Sequence, residues 1–255
     1  MAKLLEGRTA VVTGGGKGIG AGISKALAAE GANVLFNYNS NPDMAERTAA
    51  DIREAGGTAF TMYVDVAYRD QVDAMIAKTF ELYGGIDILV NNAAWQPNMD
   101  IDEYTEEDYD KIMDINLGGY FRCMQAALPY LKNSQCPRII NISSVHGIRP
   151  GDFDVCYSMT KGGIKMLTRE AALEFAQYGI TVNEILPGGT KIEFKSGQTH
   201  PFKRKRIDRP RKYNLSFIKP GMPEDVANIV IFLASEKSHH ISGASIIVDG
   251  GAILL

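Results

Sequence analysis

The sequence predicts an α/β fold, a doubly wound parallel sheet of seven strands with helices on both faces. Short β-branched runs alternate with longer helical patterns along the 255 residues, which indicates a parallel sheet with crossover helices. The segments IDILV and RIINI are nearly continuous apolar runs, as expected for strands covered on both faces. Neither a repeat nor a linker interrupts the alternation, so residues 1–255 are predicted to form a single domain.

The predicted elements follow one another in a regular order. Strands are predicted at 8–14, 33–38, 58–66, 86–92, 138–143, 180–187 and 245–251. Helices are predicted at 19–30, 42–55, 69–83, 106–131, 154–178 and 223–235. Glycine ends the first two helices, and Pro223 begins the last one with two acidic residues in its first turn. The stretch 188–221 is too long for an ordinary connection and is predicted to be a substrate-loop insertion.

Composition and cysteine use indicate a globular chain that works in a reducing compartment. Hydrophobic residues make up 45% of the chain and charged residues 22%. There is no run of eighteen apolar residues, and the first residues lack the apolar core of a signal peptide. The three cysteines, Cys123, Cys136 and Cys156, lack the spacing of metal ligands. We therefore expect a cytoplasmic protein with no membrane association and no metal site.

A glycine-rich segment, TGGGKGIG, follows the first predicted strand and opens the first helix. Gly14, Gly18 and Gly20 have the spacing G-x-x-x-G-x-G. Glycine at these positions permits a tight turn and a close approach of the backbone to a pyrophosphate, which then meets free N–H groups at the helix start. A flexible glycine turn is the alternative, but the position between strand and helix favours a dinucleotide site.

Tyr157 and Lys161 are four residues apart in the segment YSMTK, on a predicted helix. That separation places both side chains on one helix face. A phenol has a pKa of about 10, and a neighbouring ammonium lowers it. The pair is therefore predicted to donate and accept a proton near neutral pH, although an exposed helix face would carry the same two residues.

These motifs together resemble those of the short-chain dehydrogenase/reductase family. The segment TGGGKGIG resembles its TGxxxGxG signature, NNAA at 91–94 resembles its NNAG motif, and PGGT at 187–190 resembles its Pro-Gly turn. Four further residues match the family's catalytic tetrad: Asn116, Ser144, Tyr157 and Lys161. The resemblance extends from Arg8 to Gly251 and implies a Rossmann-type fold and hydride transfer between a nicotinamide and a carbonyl or alcohol.

The resemblance also implies a role for each member of the tetrad. Tyr157 would exchange a proton with the substrate oxygen, and Lys161 would lower the Tyr157 pKa and hold the nicotinamide ribose. Ser144 would donate a hydrogen bond to the substrate oxygen. Asn116 would hold a water molecule that connects Lys161 to solvent. Taken one at a time, the same residues could be a strand-end serine, a helix-kink asparagine and a solvated lysine.

Cofactor contacts are implied for a larger set of residues. That set consists of Gly14, Gly16, Lys17, Gly18, Ile19, Gly20, Asn39, Asp65, Val66, Asn92, Ala93, Tyr157, Lys161, Pro187, Gly188 and Thr190. The chain departs from the family pattern at Ala94, where glycine is usual, and at Ile192, where threonine is frequent. The second departure leaves it open whether the Thr190 side chain contacts the cofactor.

The end of the second predicted strand indicates which dinucleotide binds. NAD-specific sites place an acidic residue there for the ribose diol, but this chain has Asn37-Tyr38-Asn39-Ser40. Lys17 adds a cation inside the glycine loop, where a phosphate would benefit from it. We therefore predict a preference for NADP, with use of NAD as well left open.

The substrate side is predicted from segments that flank Tyr157 and from the insertion. Candidate substrate residues are Trp95, Gln96, His146, Arg204, Arg206 and Arg209, and the same segments also offer Asp154 and Cys156. Residues 191–212 carry nine Lys or Arg against two acidic residues, a local charge of +7 in a chain of net charge −3. A solvated loop or subunit contact, a lid that attracts an anionic substrate, and a nucleic-acid contact are three interpretations, the last disfavoured because the remainder of the chain is acidic.

The sequence thus predicts an NAD(P)-dependent oxidoreductase of a small polar carbonyl or alcohol, for example a sugar or sugar acid. A 3-oxoacyl carrier-protein reductase is an alternative, since a basic patch would dock an acidic carrier. A non-catalytic, dinucleotide-sensing regulatory protein is an alternative of another class, which the complete tetrad disfavours. The resemblance further implies a homotetramer, for which the apolar C-terminal segment GAILL would suit an interface.

Overall fold

Seven parallel strands form the centre of the molecule. The computed structural model describes residues 3–150, 154–191 and 219–254. The strands are β1 (Thr9–Val12), β2 (Asn33–Tyr38), β3 (Thr58–Tyr63), β4 (Ile88–Asn91), β5 (Arg138–Ile142), β6 (Thr181–Pro187) and β7 (Ser245–Val248). Their spatial order is β3-β2-β1-β4-β5-β6-β7, and every pairing is parallel. The prediction of a seven-stranded parallel sheet is confirmed.

Helices cover both faces of this sheet. They are α1 (Gly18–Ala29), α2 (Pro42–Glu54), α3 (Arg69–Tyr83), α4 (Glu106–Met113), α5 (Gly119–Leu131), α6 (Val155–Phe175) and α7 (Pro223–Ala234). Apolar side chains of α1, α2 and α7 pack with one face of the strands, and those of α3, α5 and α6 pack with the other. Alternate residues of the inner strands therefore enter two separate cores, which explains the nearly continuous apolar runs of β4 and β5.

The strand order reverses direction between β1 and β4. From β1 the chain first builds outward through β2 and β3, then returns to add β4 on the other side of β1. In a doubly wound sheet the crevice at this reversal, beyond the carboxyl ends of the strands, is where ligands bind. The glycine-rich segment follows β1, and Asn92 and Ala93 follow β4, so both predicted cofactor segments lie at this crevice.

Several predicted strands end earlier than expected, and β3 and β7 differ most from the prediction. β3 stops at Tyr63, which pairs with Tyr38, the last residue of its only neighbouring strand. Beyond this pair no strand continues beside it, so the predicted extension to residue 66 is not strand. β7 likewise ends at Val248, opposite Pro187 at the end of β6.

The long helix predicted over 106–131 is interrupted. A single π-helical turn, Asp114–Gly118, separates α4 from α5. Asn116 lies in this turn and forms hydrogen bonds to the main chain of Trp95, outside the helix. Wide turns of this kind inside helices are frequent at functional sites, because they redirect a side chain without ending the helix.

The predicted insertion begins and ends at a short bridge. Thr190 and Gly221 form an isolated parallel β-bridge, and the Lys191 N–H donates to the Gly221 carbonyl at 2.8 Å. Residues 192–218, which include Arg204, Arg206 and Arg209, lie outside the described residues. Across the described parts of the chain, no helix is both long enough and apolar enough to span a membrane.

Candidate active site

The glycine-rich segment folds as a tight turn between β1 and α1. Gly14 and Gly18 have φ values of +64° and +55°, in the left-handed region that glycine adopts without steric cost. A Cβ atom on Gly20 would lie 2.2 Å from the Gly14 carbonyl oxygen. Glycine is therefore required at the turn and at the first helical turn, and the main chain stays open to an approaching phosphate.

Thr13 joins this turn to the end of β4. Its buried hydroxyl oxygen accepts hydrogen bonds from the N–H groups of Asn92 at 2.8 Å and Ala93 at 3.0 Å. The Asn92 amide donates in return to the carbonyls of Thr13 at 2.9 Å and Gly14 at 3.2 Å. The two predicted cofactor segments thus form one rigid unit at the crevice.

Polar residues at the ends of β2 and β3 extend this unit. The buried Asn37 side chain accepts from the Gly14 N–H at 2.9 Å and donates to the Val64 carbonyl at 2.7 Å. The Asn39 amide donates to Asp65 at 2.9 Å. Exposed Lys17 donates from its ammonium to the Ser40 hydroxyl at 3.5 Å. The Lys17 ammonium, the neutral groups of Asn39 and Ser40, and the Asp65 carboxylate that accepts from Asn39 therefore lie at this end of the crevice.

Three further predicted cofactor residues make packing contacts. Val66 is buried, and a side chain on Gly119 would collide with it, so glycine allows α5 to approach this residue. Ile19 is partly buried and packs against the core shared by α1, α2 and α7. Gly16 lies against Ala45 of α2, where its missing side chain brings the glycine loop close to that helix.

The turn after β6 closes the crevice on the other side. Pro187 ends β6, and the Gly188 N–H donates to the Val248 carbonyl at 3.0 Å. A Cβ atom on Gly188 would lie 2.6 Å from that of Asp249. The Thr190 hydroxyl donates to the Gly188 carbonyl at 3.2 Å. The Thr190 hydroxyl is therefore hydrogen-bonded within its own turn. The departure from the family pattern at Ile192 had left open whether this side chain contacts the cofactor.

Tyr157 and Ser144 meet at the start of α6. Ser144 ends the segment after β5, is 6% exposed, and contacts the Tyr157 hydroxyl through a hydrogen bond. The His146 N–H donates to the Ser144 oxygen at 3.2 Å, which fixes the serine side chain from the opposite side. Tyr157 as a whole residue is partly buried.

Lys161 is one turn further along α6 and is almost fully buried, with 2% exposure. Its ammonium donates to the Ile142 carbonyl at 2.9 Å and to the Tyr120 hydroxyl at 3.4 Å. It also lies 5.5 Å from the centre of the Tyr157 ring. The helix spacing therefore places the ammonium beneath the phenol, as predicted from the sequence.

The Tyr157 pKa lies above its ordinary value in this structure, not below it as the sequence predicted. Burial raises the pKa of Tyr157 to about 12, although the hydrogen bond with Ser144 partly opposes this. Burial also lowers the pKa of Lys161 to about 7, despite the opposing charge of Glu184. Because the pKa of Tyr157 is raised by burial, the phenol is protonated at neutral pH.

Asn116 holds the loop after β4 rather than pointing into open space. Its amide oxygen accepts from the Trp95 N–H at 2.7 Å, and its amide nitrogen donates to the Trp95 carbonyl at 2.9 Å. The same nitrogen donates to the Thr160 hydroxyl at 3.3 Å, next to Lys161. Contacts thus run from the glycine turn through the loop after β4 to α6.

Three of the six predicted substrate residues lie in two separate segments of the described structure. Trp95 packs partly buried against the core shared by α3, α5 and α6, and the Lys111 ammonium lies 4.4 Å from its ring centre. Gln96 follows in the same loop and is partly buried, and His146 lies in the turn after Ser144. The three predicted arginines lie outside the described residues.

Sequence reasoning missed several residues that build the site. Tyr120 is buried and donates from its hydroxyl to the Ile142 carbonyl at 2.8 Å, the same oxygen that receives Lys161. Its position four residues after Asn116 was the available signal, since that spacing shares a helix face. Thr13 and Asn37 gave no such signal, because their partners come from other strands.

A family model described as Enoyl-(Acyl carrier protein) reductase matches residues 14–252. Curated relatives include 3beta-hydroxysteroid dehydrogenase 1 of Eggerthella lenta, 37% identical over 98% of this chain and 95% of that protein. Glucose 1-dehydrogenase 2 of Bacillus subtilis is 37% identical over 100% of this chain and 98% of its own length. The 3-oxoacyl-acyl-carrier-protein reductase FabG of Staphylococcus aureus is 36% identical over 96% and 97%.

The fold is also similar to that of solved short-chain dehydrogenases. A short-chain dehydrogenase from Burkholderia cenocepacia in complex with NADP superposes with a TM-score of 0.86, at 31% identity, over 98% of this chain and 99% of that one. The Rossmann-like fold and this site therefore define a nicotinamide-dependent oxidoreductase acting on carbonyl or alcohol groups. The chain belongs to the short-chain dehydrogenase/reductase family.

Proposed function

We propose that the protein is an NADP-preferring oxidoreductase of a small polar carbonyl or alcohol, with Asn116, Ser144, Tyr157 and Lys161 as its catalytic residues. The observation that carries this proposal is the contact between Ser144 and the Tyr157 phenol above the buried Lys161 ammonium. A hydroxyl donor and a phenol donor that converge at one point are suited to a substrate oxygen that gains negative charge.

Tyr157 is the proton donor in this proposal. Its phenol is protonated at neutral pH because burial raises its pKa, so it is ready to protonate an oxygen formed by carbonyl reduction. Ser144 donates a second hydrogen bond to the same oxygen, and the His146 N–H holds the serine in place. Lys161, whose pKa of about 7 allows it to gain or lose a proton near neutral pH, restores the proton of Tyr157.

Asn116 acts in this proposal by holding the loop after β4 and Thr160 together. Its side-chain amide is bonded to Trp95 and Thr160. Because the Asn116 amide is already bonded to Trp95 and Thr160, other polar atoms of the same turn would also have to bind the predicted water molecule that connects Lys161 to solvent.

The residues present fit a nicotinamide dinucleotide. Side chains on Gly14 or Gly20 would crowd Ala93, Asn92 or the Gly14 carbonyl, so glycine preserves the tight turn whose N–H groups would meet a pyrophosphate. Asn92, Ala93, Pro187 and Gly188 would hold the adenosine and nicotinamide ends. When bound, the nicotinamide supplies or accepts the hydride.

The preference for NADP rests on Lys17 and on the end of β2. The Lys17 ammonium lies against the Ser40 hydroxyl, and Asn39 stands where a carboxylate would repel a phosphate. A cation with neutral donors beside it suits the 2′-phosphate of NADP, whereas the ribose diol of NAD would lack its carboxylate acceptor. A kcat/KM at least tenfold higher with NAD than with NADP would contradict this preference.

The substrate class is proposed from the neighbouring segments and from the relatives. Gln96 in the loop after β4 and His146 in the turn after Ser144 are partly buried polar residues, and the similarity to glucose 1-dehydrogenase 2 supports a sugar or sugar acid. The similarity to the FabG reductase supports a 3-oxoacyl thioester as the second candidate. The basic segment 191–212 would favour an anionic substrate in either case.

A substrate panel tests the proposed function. The panel would contain neutral sugars, sugar acids, 3-ketosteroids and 3-oxoacyl thioesters, each assayed with NADPH, NADP, NADH and NAD. Turnover would be followed by the change in absorbance of the reduced nicotinamide. The proposal expects turnover of a sugar or sugar acid with an NADP(H) preference. Turnover confined to acyl thioesters would establish the second candidate, and dinucleotide binding with no turnover of any class would contradict an enzymatic role.

Assembly into a homotetramer in the cytoplasm completes the proposal. The helices α5 and α6 expose large apolar side chains, among them Phe121 at 52%, Met166 at 52% and Leu173 at 76% exposure. Such a patch favours burial against another copy of the chain. The three cysteines are all buried and unpaired, as suits a reducing compartment. Light scattering after gel filtration would give the mass, and a monomer would contradict the tetramer.

A further inference from the structure

A buried carboxylate joins the start of the catalytic helix to the loop after β4. Asp154 is the N-cap residue of α6 and is 5% exposed. One of its oxygens accepts the Tyr157 N–H at 2.8 Å and the Tyr104 hydroxyl at 2.7 Å. Its other oxygen accepts the Asn98 N–H at 3.1 Å. The Asp154 side chain therefore binds Tyr157, the proposed proton donor, and two residues of the loop after β4, Asn98 and Tyr104.

The chemistry of these contacts requires a carboxylate. All three partners are donors, and an ionised carboxylate offers acceptors only, whereas an amide would turn its NH₂ group toward one of them. Tyr104 is held as a donor, because burial and the charge of Asp154 raise its pKa well above the ordinary value. Its hydroxyl also contacts the Cys156 thiol on the same helix turn.

The loop is held at both of its ends by residues of the catalytic region. Asn116 binds the main chain of Trp95 at the beginning of the loop, and Asp154 binds Asn98 and Tyr104 near its end. Asn98 has φ +59°, a left-handed conformation that is costly for a residue other than glycine unless its surroundings fix it. The Asp154 contact to its N–H supplies part of that fixation.

We propose that Asp154 is a positioning residue, which locks residues 95–104 against the first turn of α6 and thereby sets the shape of the substrate side of the crevice. Tyr104 is the partner through which this lock acts on substrate binding. The proposal rests on the proposed function insofar as the loop faces a carbonyl or alcohol substrate. The ordinary N-cap role of Asp154 would involve only the Tyr157 N–H.

Three variants that keep an N-cap acceptor separate the lock from the cap. Tyr104→Phe removes one loop contact and leaves the carboxylate in place. Asp154→Asn keeps an acceptor for the helix but opposes an NH₂ group to the Asn98 N–H. Asp154→Ser keeps the cap alone, since serine is also a good N-cap residue. Tyr109→Phe, at an exposed position of α4, is the matched control.

Steady-state kinetics and hydrogen exchange provide the readouts. For the best substrate of the wild-type protein, we expect KM to rise about tenfold in Tyr104→Phe and further in Asp154→Ser, as the loss of a hydrogen bond to a charged group implies. The kcat value should change less than about threefold and the NADPH Kd should not change, because the catalytic groups and the cradle stay in place. Amides of residues 96–104 should exchange faster, with those of α5 unchanged.

The outcomes distinguish this proposal from the proposed function. If the wild-type protein turns over no carbonyl or alcohol, the proposed function fails, while hydrogen exchange of residues 96–104 still decides whether Asp154 and Tyr104 lock the loop. Unchanged exchange in both Tyr104→Phe and Asp154→Ser would overturn the lock. A lower melting temperature accompanied by a fall in kcat as large as the rise in KM would show that Asp154 is only a structural cap, and would also overturn the lock.

Discussion

Replacing Gly20 by alanine sets two effects of known size against each other. Gly20 lies in the first turn of α1 and is buried. Alanine inside a helix is favoured over glycine by about 1 kcal/mol, so helix propensity alone predicts a more stable protein. The new Cβ, however, would lie 2.2 Å from the Gly14 carbonyl oxygen and 2.6 Å from the Asn92 amide nitrogen.

The steric effect should be larger. Forcing an extra methyl group into a packed site costs about 1–3 kcal/mol. The two crowded atoms also form a hydrogen bond with each other at 3.2 Å, and separating them adds about 1 kcal/mol. We therefore expect the Gly20→Ala substitution to lower the free energy of unfolding by about 1–3 kcal/mol. It should also weaken NADPH binding at least about tenfold, because the Gly14 turn must move.

Urea unfolding and titration of NADPH fluorescence measure these two quantities. Gly162→Ala is the matched control, since this glycine is also helical and its Cβ would lie 3.7 Å from the nearest atom, the Gly147 carbonyl oxygen. The control should be as stable as the wild-type protein or up to about 1 kcal/mol more stable. A Gly20→Ala protein with raised stability and an unchanged NADPH Kd would refute the close packing of the cradle.

Three further substitutions test the cofactor site and the buried lysine. Lys17→Ala should raise KM for NADPH about tenfold and leave KM for NADH unchanged, and equal changes would remove Lys17 from phosphate recognition. Thr13→Val should cost about 2 kcal/mol in urea unfolding because two N–H groups lose their acceptor, whereas Thr13→Ser should behave like the wild type. Since folding lowers the pKa of Lys161 from its ordinary 10.5 to about 7, the unfolded chain holds more protons between these values, and wild-type stability should rise with pH there. Relative to Lys161→Met, that rise should reach about 2 kcal/mol between pH 7 and pH 9 in urea unfolding, and a flat or falling difference would contradict the buried lysine.

The sheet was predictable from the sequence because its signal is local. Strand and helix periods alternate regularly, and glycine and proline mark the boundaries. The break at Asp114–Gly118 was not predictable, since the apolar period continues across it and its cause is the bond of Asn116 to Trp95, a contact between distant segments. The end of β3 depends in the same way on the length of its neighbour.

In the candidate active site, too, local features could be predicted from the sequence and contacts between distant segments could not. Helix spacing identified Tyr157 and Lys161 as a pair, and the resemblance to the short-chain dehydrogenase/reductase family added Ser144 to them. The depth of burial decided their pKa values, and a sequence does not show how deeply one lysine lies beneath a helix. The Asp154 contacts were missed for a related reason, since their partners come from a loop fifty residues away.

The central claim is that the Tyr157 phenol moves a proton to or from the substrate oxygen. Steady-state turnover of Tyr157→Phe with NADPH and the best wild-type substrate tests it most directly, together with the NADPH Kd of the same variant. Loss of a positioned acid should lower kcat/KM by about 100- to 10,000-fold and leave the Kd within about twofold. Turnover within about threefold of the wild type would contradict the claim, and a lost NADPH affinity would show that Tyr157 acts in binding instead.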